Sequence, residues 1–349
     1  DIVSGGELFR AKKVKCQGKR IVYAGVGKTA DEIRAAIKAR ILLFNVESIP
    51  ELETIDAVAR HKNRIVHVSL RLNPDVDAHT HRHITTGKKE SKFGIDLETA
   101  YEIYLAREDF PNLDISGAHV HIGSQITTGE PFVKAFRKIL AFIRKLEKAG
   151  IVLKFLNLGG GLGAIYRTEK PQTAREYSAR ILPLLRGTRF ADRTHRKGML
   201  ILEPGRFIAA NSAVFVTRIL YVKKTKVKNF LIVDGGMNDL VRPALYDAYH
   251  EVCLVKKRGE GKKILSDVVG PICESGDFLA KDRRLPPLEA GDLIALAGAG
   301  AYGFTMSSQY NSRPRVAEVM ASGKKYEIVR DRETYRDLIR GERTPSFLR

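Results

Sequence analysis

A chain of 349 residues with 44% hydrophobic positions can fill two domain cores. Its net charge of +20 admits anionic small substrates. The basic runs KKVKCQGKR (12–20), VKKTKVKN (222–229) and KKRGEGKK (256–263) lack interleaved aromatics and any zinc-finger or RNP signature. They therefore read as solvated surface and exclude a nucleic-acid site. No stretch approaches the ~20 apolar residues of a membrane span, and the three scattered cysteines, Cys16, Cys253 and Cys273, suit a reducing compartment without disulfides.

The chain opens on DIVS (1–4), which reads as the end of a strand, with Gly5 and Gly6 turning it into a helix from Glu7. Apolar runs then alternate with helical patterns. RIVYAGVG (20–27) precedes TADEIRAAIKARI (29–41), and LLFNVES (42–48) precedes IPELETIDAVARH (49–61). RIVHVSLRLNP (64–74) precedes a loop and DLETAYEIYLAR (96–107), and LDISGAHVHIGSQ (113–125) precedes PFVKAFRKILAFIRKLEKAG (131–150). KFLNLGGGLG (154–163) precedes TAREYSARILPLLR (173–186), and MLILEPGRF (199–207) closes the series. Alternation of this kind predicts parallel βαβ units. With DIVS included there are seven strands, against eight in a closed (β/α) barrel. The expectation is an α/β barrel of the TIM type, its first strand missing, over residues 1–209. After Ala209 the long helical periods stop. SAVFVTRILYVKKT (212–225), KNFLIVDGG (228–236), ILSDVVGP (264–271), DLIALAGAG (292–300) and RVAEVMASGKKYEIVRD (315–331) predict a C-terminal, mostly β domain over 210–349.

Residues with chemical capacity follow the strands, where a barrel places its active site. NLGGGLG puts Gly159, Gly160, Gly161 and Gly163 in a turn whose backbone could approach a phosphate, or be only a turn. HVHIGSQ offers His119, His121, Ser124 and Gln125. His119 and His121 share a face of an extended strand, but no third ligand stands at metal-site spacing. LEPGRF places Glu203, Gly205 and Arg206 after the last barrel strand. The carboxylate could hold a proton on a heterocyclic nitrogen and the guanidinium could grip an oxyanion, or the two could form an internal ion pair. GPICESGDFLA sets Cys273 beside Glu274 and Asp277, as a proton donor with an ammonium-binding carboxylate or as a buried structural thiol. Arg242, Tyr246 and Tyr302 lie in polar, turn-rich stretches.

The order of these stretches resembles the diaminopimelate decarboxylases, a family of fold-type III pyridoxal-phosphate enzymes. The resemblance runs through DIVSGGEL, AGVGKT, FNVES, RLNPDVDAHTH, TGKKESKFGI, HIGSQI, LGGGLG, EPGRF, VDGGMNDLVRPALYDAYHE, VVGPICESGDFLA and AGAYGFTMSSQYNSRPR, which covers essentially the whole chain. It implies a cytoplasmic homodimer with active sites shared between subunits. The reaction it implies is decarboxylation of meso-2,6-diaminopimelate to L-lysine, the last step of lysine biosynthesis. The cofactor phosphate would sit on Gly159 to Gly161 with Ser124, Gly205 and Arg206. His121 would stack on the pyridine ring and Glu203 would keep its nitrogen protonated. Arg206, Arg242, Tyr246, Glu274 and Tyr302 would contact substrate, Tyr302 also lying near the cofactor, and Cys273 would donate a proton.

Two positions depart from the family's usual pattern: Gly298 replaces an Asp before AGAYG, and Val120 replaces a Cys between the histidines. The lysine that carries the cofactor in the family stands on the first barrel strand, upstream of the stretch matching DIVSGGEL. No lysine of the chain has that context, so residues 1–349 alone are expected to be inactive. A related ornithine, arginine or lysine decarboxylase is the alternative enzyme, although such relatives carry Asp where Glu274 stands. A catalytically dead, partner-binding homologue is the non-enzyme alternative.

Overall fold

The computed structural model describes residues 1–77, 92–191, 197–256 and 262–348. HTH and TGKKES, within 79–91, and most of the KKRGEGKK run lie outside the described residues. The chain divides into two units, residues 1–163 with 170–206, and residues 164–169 with 207–349.

The first unit runs α1 (Gly5–Lys13), β1 (Val22–Tyr23), α2 (Ala30–Ala39), β2 (Leu43–Val46), α3 (Ile49–His61), β3 (Val66–Asn73), β4 (Ile95–Asp96), α4 (Leu97–Leu105), β5 (Leu113–His119), α5 (Glu130–Lys148), β6 (Phe155–Asn157), α6 (Ala174–Ile181) and β7 (Met199–Ile201). The strands form one parallel barrel sheet in the order β1-β2-β3-β5-β6-β7, with β4 on β3. DIVS contributes less than a full strand. Ile2 alone bridges Tyr23 in parallel, through Ile2 N to Val22 O and Ala24 N to Ile2 O, both 2.9 Å. Helix starts are written in the side chains. Thr29 with Glu32 and Thr173 with Glu176 form capping boxes, and Ser48 accepts from the Glu51 amide ahead of α3, each satisfying amides that the first turn leaves unpaired.

A period of two sorts the strand residues. Phe44, Val46, Val68, Leu70 and Leu72 join the large cluster packed with the helices, where α5 contributes Phe132, Phe136, Ile139 and Ile143. On the other face Val22, Leu43 and Phe155 form a small separate cluster. Two residues on from Leu43 and Phe155, that same face carries Asn45 and Asn157 at the C-terminal strand ends. Polar groups are thus buried where the barrel mouth begins.

Helix α7 (Gly205–Ala209) carries the chain onward. The second unit comprises β8 (Phe215–Lys224), β9 (Asn229–Val233), α8 (Arg242–Tyr246), β10 (Val252–Leu254), β11 (Ile264–Val269), β12 (Phe278–Leu285), β13 (Leu293–Leu296), β14 (Glu318–Ser322), β15 (Lys325–Arg330) and α9 (Tyr335–Leu338). Six strands pair in the order β10-β13-β8-β9-β11-β12, and β14 pairs with β15. Only β9 and β11 pair in parallel among these described strands. Ile219, Leu231, Val233, Leu279, Ile294 and Leu296 fill the core of this sheet. No helix among the described residues is long and apolar enough to cross a membrane.

Candidate active site

Glu203 stands two residues past β7, and three strands supply its surroundings. Asn157 Nδ2 donates to its Oε1 at 2.7 Å and Asn45 Nδ2 at 3.4 Å. His119 Nε2 lies 3.5 Å from the same oxygen. The amides are oriented by their own acceptor ends: Asn157 Oδ1 takes the Gly159 amide at 2.9 Å, and Asn45 Oδ1 takes the Ser69 hydroxyl. Burial alone would raise the carboxyl pKa, but His119, His121 and Asn157 outweigh it and hold the group well below the usual carboxylate range. Glu203 is therefore an ionised, largely buried carboxylate. Oε2 takes none of these bonds.

The glycine turn after β6 is packed so closely that side chains are excluded. A Cβ on Gly159 would lie 2.3 Å from the Val120 carbonyl oxygen, one on Gly160 2.1 Å from that of Glu203, and one on Gly161 2.5 Å from that of Gly123. Gly159 and Gly161 also have φ of +65° and +98°, open to glycine and costly to most other residues. Gly205 differs: a Cβ there meets nothing within 4 Å. The Gly160 amide donates to His121 Nδ1 at 3.1 Å. Since Nδ1 accepts, the ring proton sits on Nε2. Burial, with the Arg71 charge adding to it, pushes the His121 pKa down to about 4, so the ring is neutral near pH 7. Buried Arg206 donates through Nε and Nη2 to Ser124 Oγ at 3.1 and 3.0 Å.

These residues fit a phosphorylated pyridine cofactor. The buried carboxylate is anchored through one oxygen and presents the other, which suits a protonated ring nitrogen. The neutral imidazole suits a flat ring face. The turn admits close backbone approach, and the Arg206–Ser124 pair suits a phosphate. Lys28, the lysine after β1, is committed to the fold instead. Its Nζ donates to Gly25 O and Asn45 O, both at 2.8 Å, and to Glu51 Oε1 at 2.6 Å.

In the second unit Arg242, the first residue of α8, is buried. Its guanidinium carbon lies 4.4 Å from the Tyr166 ring centre and its Nη1 3.0 Å from His250 Nε2. Tyr246 ends α8, half-buried. Tyr302 has φ +60° and is 43% exposed. Cys273 and Glu274 are exposed on the loop before β12, so the thiol is not a buried structural one. Asp277 is the residue that holds this loop, accepting from Met237 N at 2.7 Å through Oδ1 and from Ile272 N at 2.6 Å through Oδ2. That geometry makes it an anchor and not an ammonium ligand. Among the described residues no group of three or more His, Cys, Asp or Glu is arranged to hold a metal.

The strand-end residues Asn45, His119 and Asn157 are legible as partners of Glu203 only after the fold is known, because they come from three strands far apart in sequence. His250 carries no local signal either.

Residues 1–210 match the family described as pyridoxal-dependent decarboxylase, pyridoxal binding domain. The chain is 47% identical over 333 residues to a diaminopimelate decarboxylase of Vibrio cholerae, covering 95% of this chain and 78% of that protein. A crystal structure of diaminopimelate decarboxylase from Helicobacter pylori complexed with L-lysine superposes with a TM-score of 0.91 at 43% identity, over 97% of this chain and 83% of that one. A crystal structure of diaminopimelate decarboxylase from m. jannaschi gives a TM-score of 0.92 at 38% identity, over 100% of this chain and 80% of that one.

Proposed function

The chain belongs to the pyridoxal-dependent decarboxylase family, among its diaminopimelate decarboxylases, and we propose how its residues divide the work. The reaction is loss of CO₂ from meso-2,6-diaminopimelate, leaving L-lysine. The observation that carries the assignment of roles is Glu203, an ionised buried carboxylate with Oε1 anchored by Asn157. Pyridoxal 5′-phosphate, when bound, supplies a ring that accepts the charge left at Cα as CO₂ departs. Glu203 holds the proton on the ring nitrogen and so keeps that capacity high. His121 covers the ring face without adding charge. Gly159, Gly160, Gly161, Ser124, Gly205 and Arg206 hold the phosphate, and Tyr302 contacts the cofactor.

Arg206, Arg242, Tyr246, Glu274 and Tyr302 bind the substrate. Diaminopimelate carries a carboxylate and an ammonium at its far end, which call for a cation and an anion; Arg242 and Glu274 supply them. Cys273 holds a proton for Cα. Its exposure together with Glu274 supports a homodimer in which this loop serves the partner subunit. Three free cysteines support a cytoplasmic setting.

The test is to assay the holoenzyme of the full-length protein on meso-diaminopimelate, ornithine, arginine and lysine, following CO₂ and the amine product. Turnover of diaminopimelate alone is expected. Turnover confined to the other three would replace this reading with a basic-amino-acid decarboxylase.

A further inference from the structure

The loop between α8 and β10 returns His250 onto the start of the helix it follows. Asp247, at φ +50°, reverses the chain, and Ala248 N donates to Arg242 O at 3.3 Å. The segment is then fixed on the exit of β13. Ala297 N donates to Glu251 O at 2.9 Å, and His250 Nδ1 lies 2.8 Å from Ala297 O. Arg283 Nη2 also reaches the His250 carbonyl at 3.4 Å. His250 is wholly buried.

The two partners of the ring leave it one state. A carbonyl oxygen only accepts, so Nδ1 must carry the proton. A guanidinium only donates, so Nε2 must offer its lone pair to Arg242 Nη1. The imidazole is therefore neutral and in a single tautomer. Burial favours the same state, pushing the pKa down to about 4, and the neighbouring Arg242 and Arg283 charges add to it. Tyr166 completes the arrangement, its ring lying against the Arg242 guanidinium and meeting His250 edge-on, with centroids 5.7 Å apart. A neutral acceptor of this kind orients a guanidinium without cancelling its charge. A carboxylate in the same place would orient it and neutralise it.

We propose that His250 is a positioning residue for substrate recognition: its Nε2 lone pair aligns Arg242 to receive the carboxylate that diaminopimelate keeps when it becomes lysine. This rests on the reading of Arg242 as a substrate-carboxylate ligand.

The test uses the holoenzyme of the full-length protein with three single variants, one double variant and two competitive ligands. L-Lysine has the carboxylate in question, and cadaverine is the same diamine without it. His250→Asn keeps a donor for Ala297 O but removes the acceptor for Arg242. His250→Gln places an amide oxygen near the position of Nε2. Arg242→Ala removes the guanidinium. For His250→Asn, KM for diaminopimelate and the inhibition constant for L-lysine should each rise about 10- to 100-fold, the scale of a lost hydrogen bond to a charged group. Cadaverine inhibition should be unchanged, kcat should fall much less than KM rises, and His250→Gln should recover most of the loss. The double variant with Arg242→Ala should be no worse than Arg242→Ala alone. Equal weakening of L-lysine and cadaverine by His250→Asn, or no rescue by His250→Gln, would overturn the proposal and leave a structural histidine. If Arg242→Ala itself spares the preference for L-lysine over cadaverine, the reading of Arg242 has failed instead.

Discussion

The backbone amide of Gly160 donates to Nδ1 of His121 across 3.1 Å, so the glycine turn also sets the tautomer of the histidine beside it. The bond needs Gly160 where it is, and Gly160 can be there only without a side chain, since a Cβ would come 2.1 Å from the Glu203 carbonyl oxygen. Gly160→Ala should destabilise the protein by about 1–3 kcal/mol, as for other overpacked sites, and weaken pyridoxal phosphate binding with it. Gly205→Ala is the matched control. Its Cβ meets nothing within 4 Å, and the change should stay within ~0.5 kcal/mol. Urea unfolding and cofactor titration of both variants check the pair; equal effects would show that close packing at Gly160 is not the constraint.

Glu203→Gln keeps an oxygen for Asn157 and nearly the same shape, but it cannot hold a proton on a ring nitrogen. kcat should fall by about 10²- to 10⁴-fold, the usual range for losing a positioned acid or base, and because the fold holds the Glu203 carboxyl below its unfolded pKa, losing the charge should also lower the urea midpoint at neutral pH. Steady-state kinetics and unfolding on one preparation decide it. An unchanged kcat would remove Glu203 from the chemistry.

The part of this legible in the sequence was the part governed by local pattern. Helix α3 runs from Ile49 to His61, the bounds its apolar spacing predicts, because Ser48 caps it and Pro50 suits its first turn. EPGR was legible because it directly follows a strand. Other features depend on distant partners. Strand β12 (Phe278–Leu285) is not legible in the sequence because Lys281, Asp282, Arg283 and Arg284 break its alternation, and Asp282 has φ +53° where the pairing with β11 slips. DIVS has strand composition yet pairs only at Ile2. The ring state of His250 follows from the Ala297 carbonyl, 47 residues away, which no local motif encodes.

His250 should leave a mark on the pH dependence of stability. In the unfolded chain it protonates near pH ~6.5, whereas in the fold its pKa is pushed down to about 4. Between those values the unfolded state binds the extra proton, so stability falls as pH falls through the window. His121 acts in the same direction and is retained in a His250→Gln variant. Urea unfolding from about pH 7 to about pH 4.5 should show a steeper loss in the parent than in His250→Gln. Parallel curves would mean that His250 is already charged in the folded protein.

The loop bearing Cys273 and Glu274 is held by the buried carboxylate of Asp277. Asp277 accepts the Met237 amide through one oxygen and the Ile272 amide through the other, and it sits close against two glycines: a Cβ on Gly270 would lie 2.4 Å from Oδ2 and one on Gly236 2.9 Å from Oδ1. Asp277→Asn replaces one acceptor with an NH₂ that must face an amide N–H, leaving a buried donor unpaired. The expected cost is about 1–3 kcal/mol. Because Ile272 immediately precedes the two exposed residues, the loosened loop should also reach their function, with kcat/KM for diaminopimelate reduced and protease cleavage near Glu274 accelerated at a temperature where the rest of the protein stays folded. Asp277→Ala should do the same to the loop without the clash. Limited proteolysis, with the cleavage site identified by mass, separates the outcomes. A loop that stays resistant in both variants would show that Asn311, which accepts from the Cys273 amide at 2.8 Å, is sufficient to hold it.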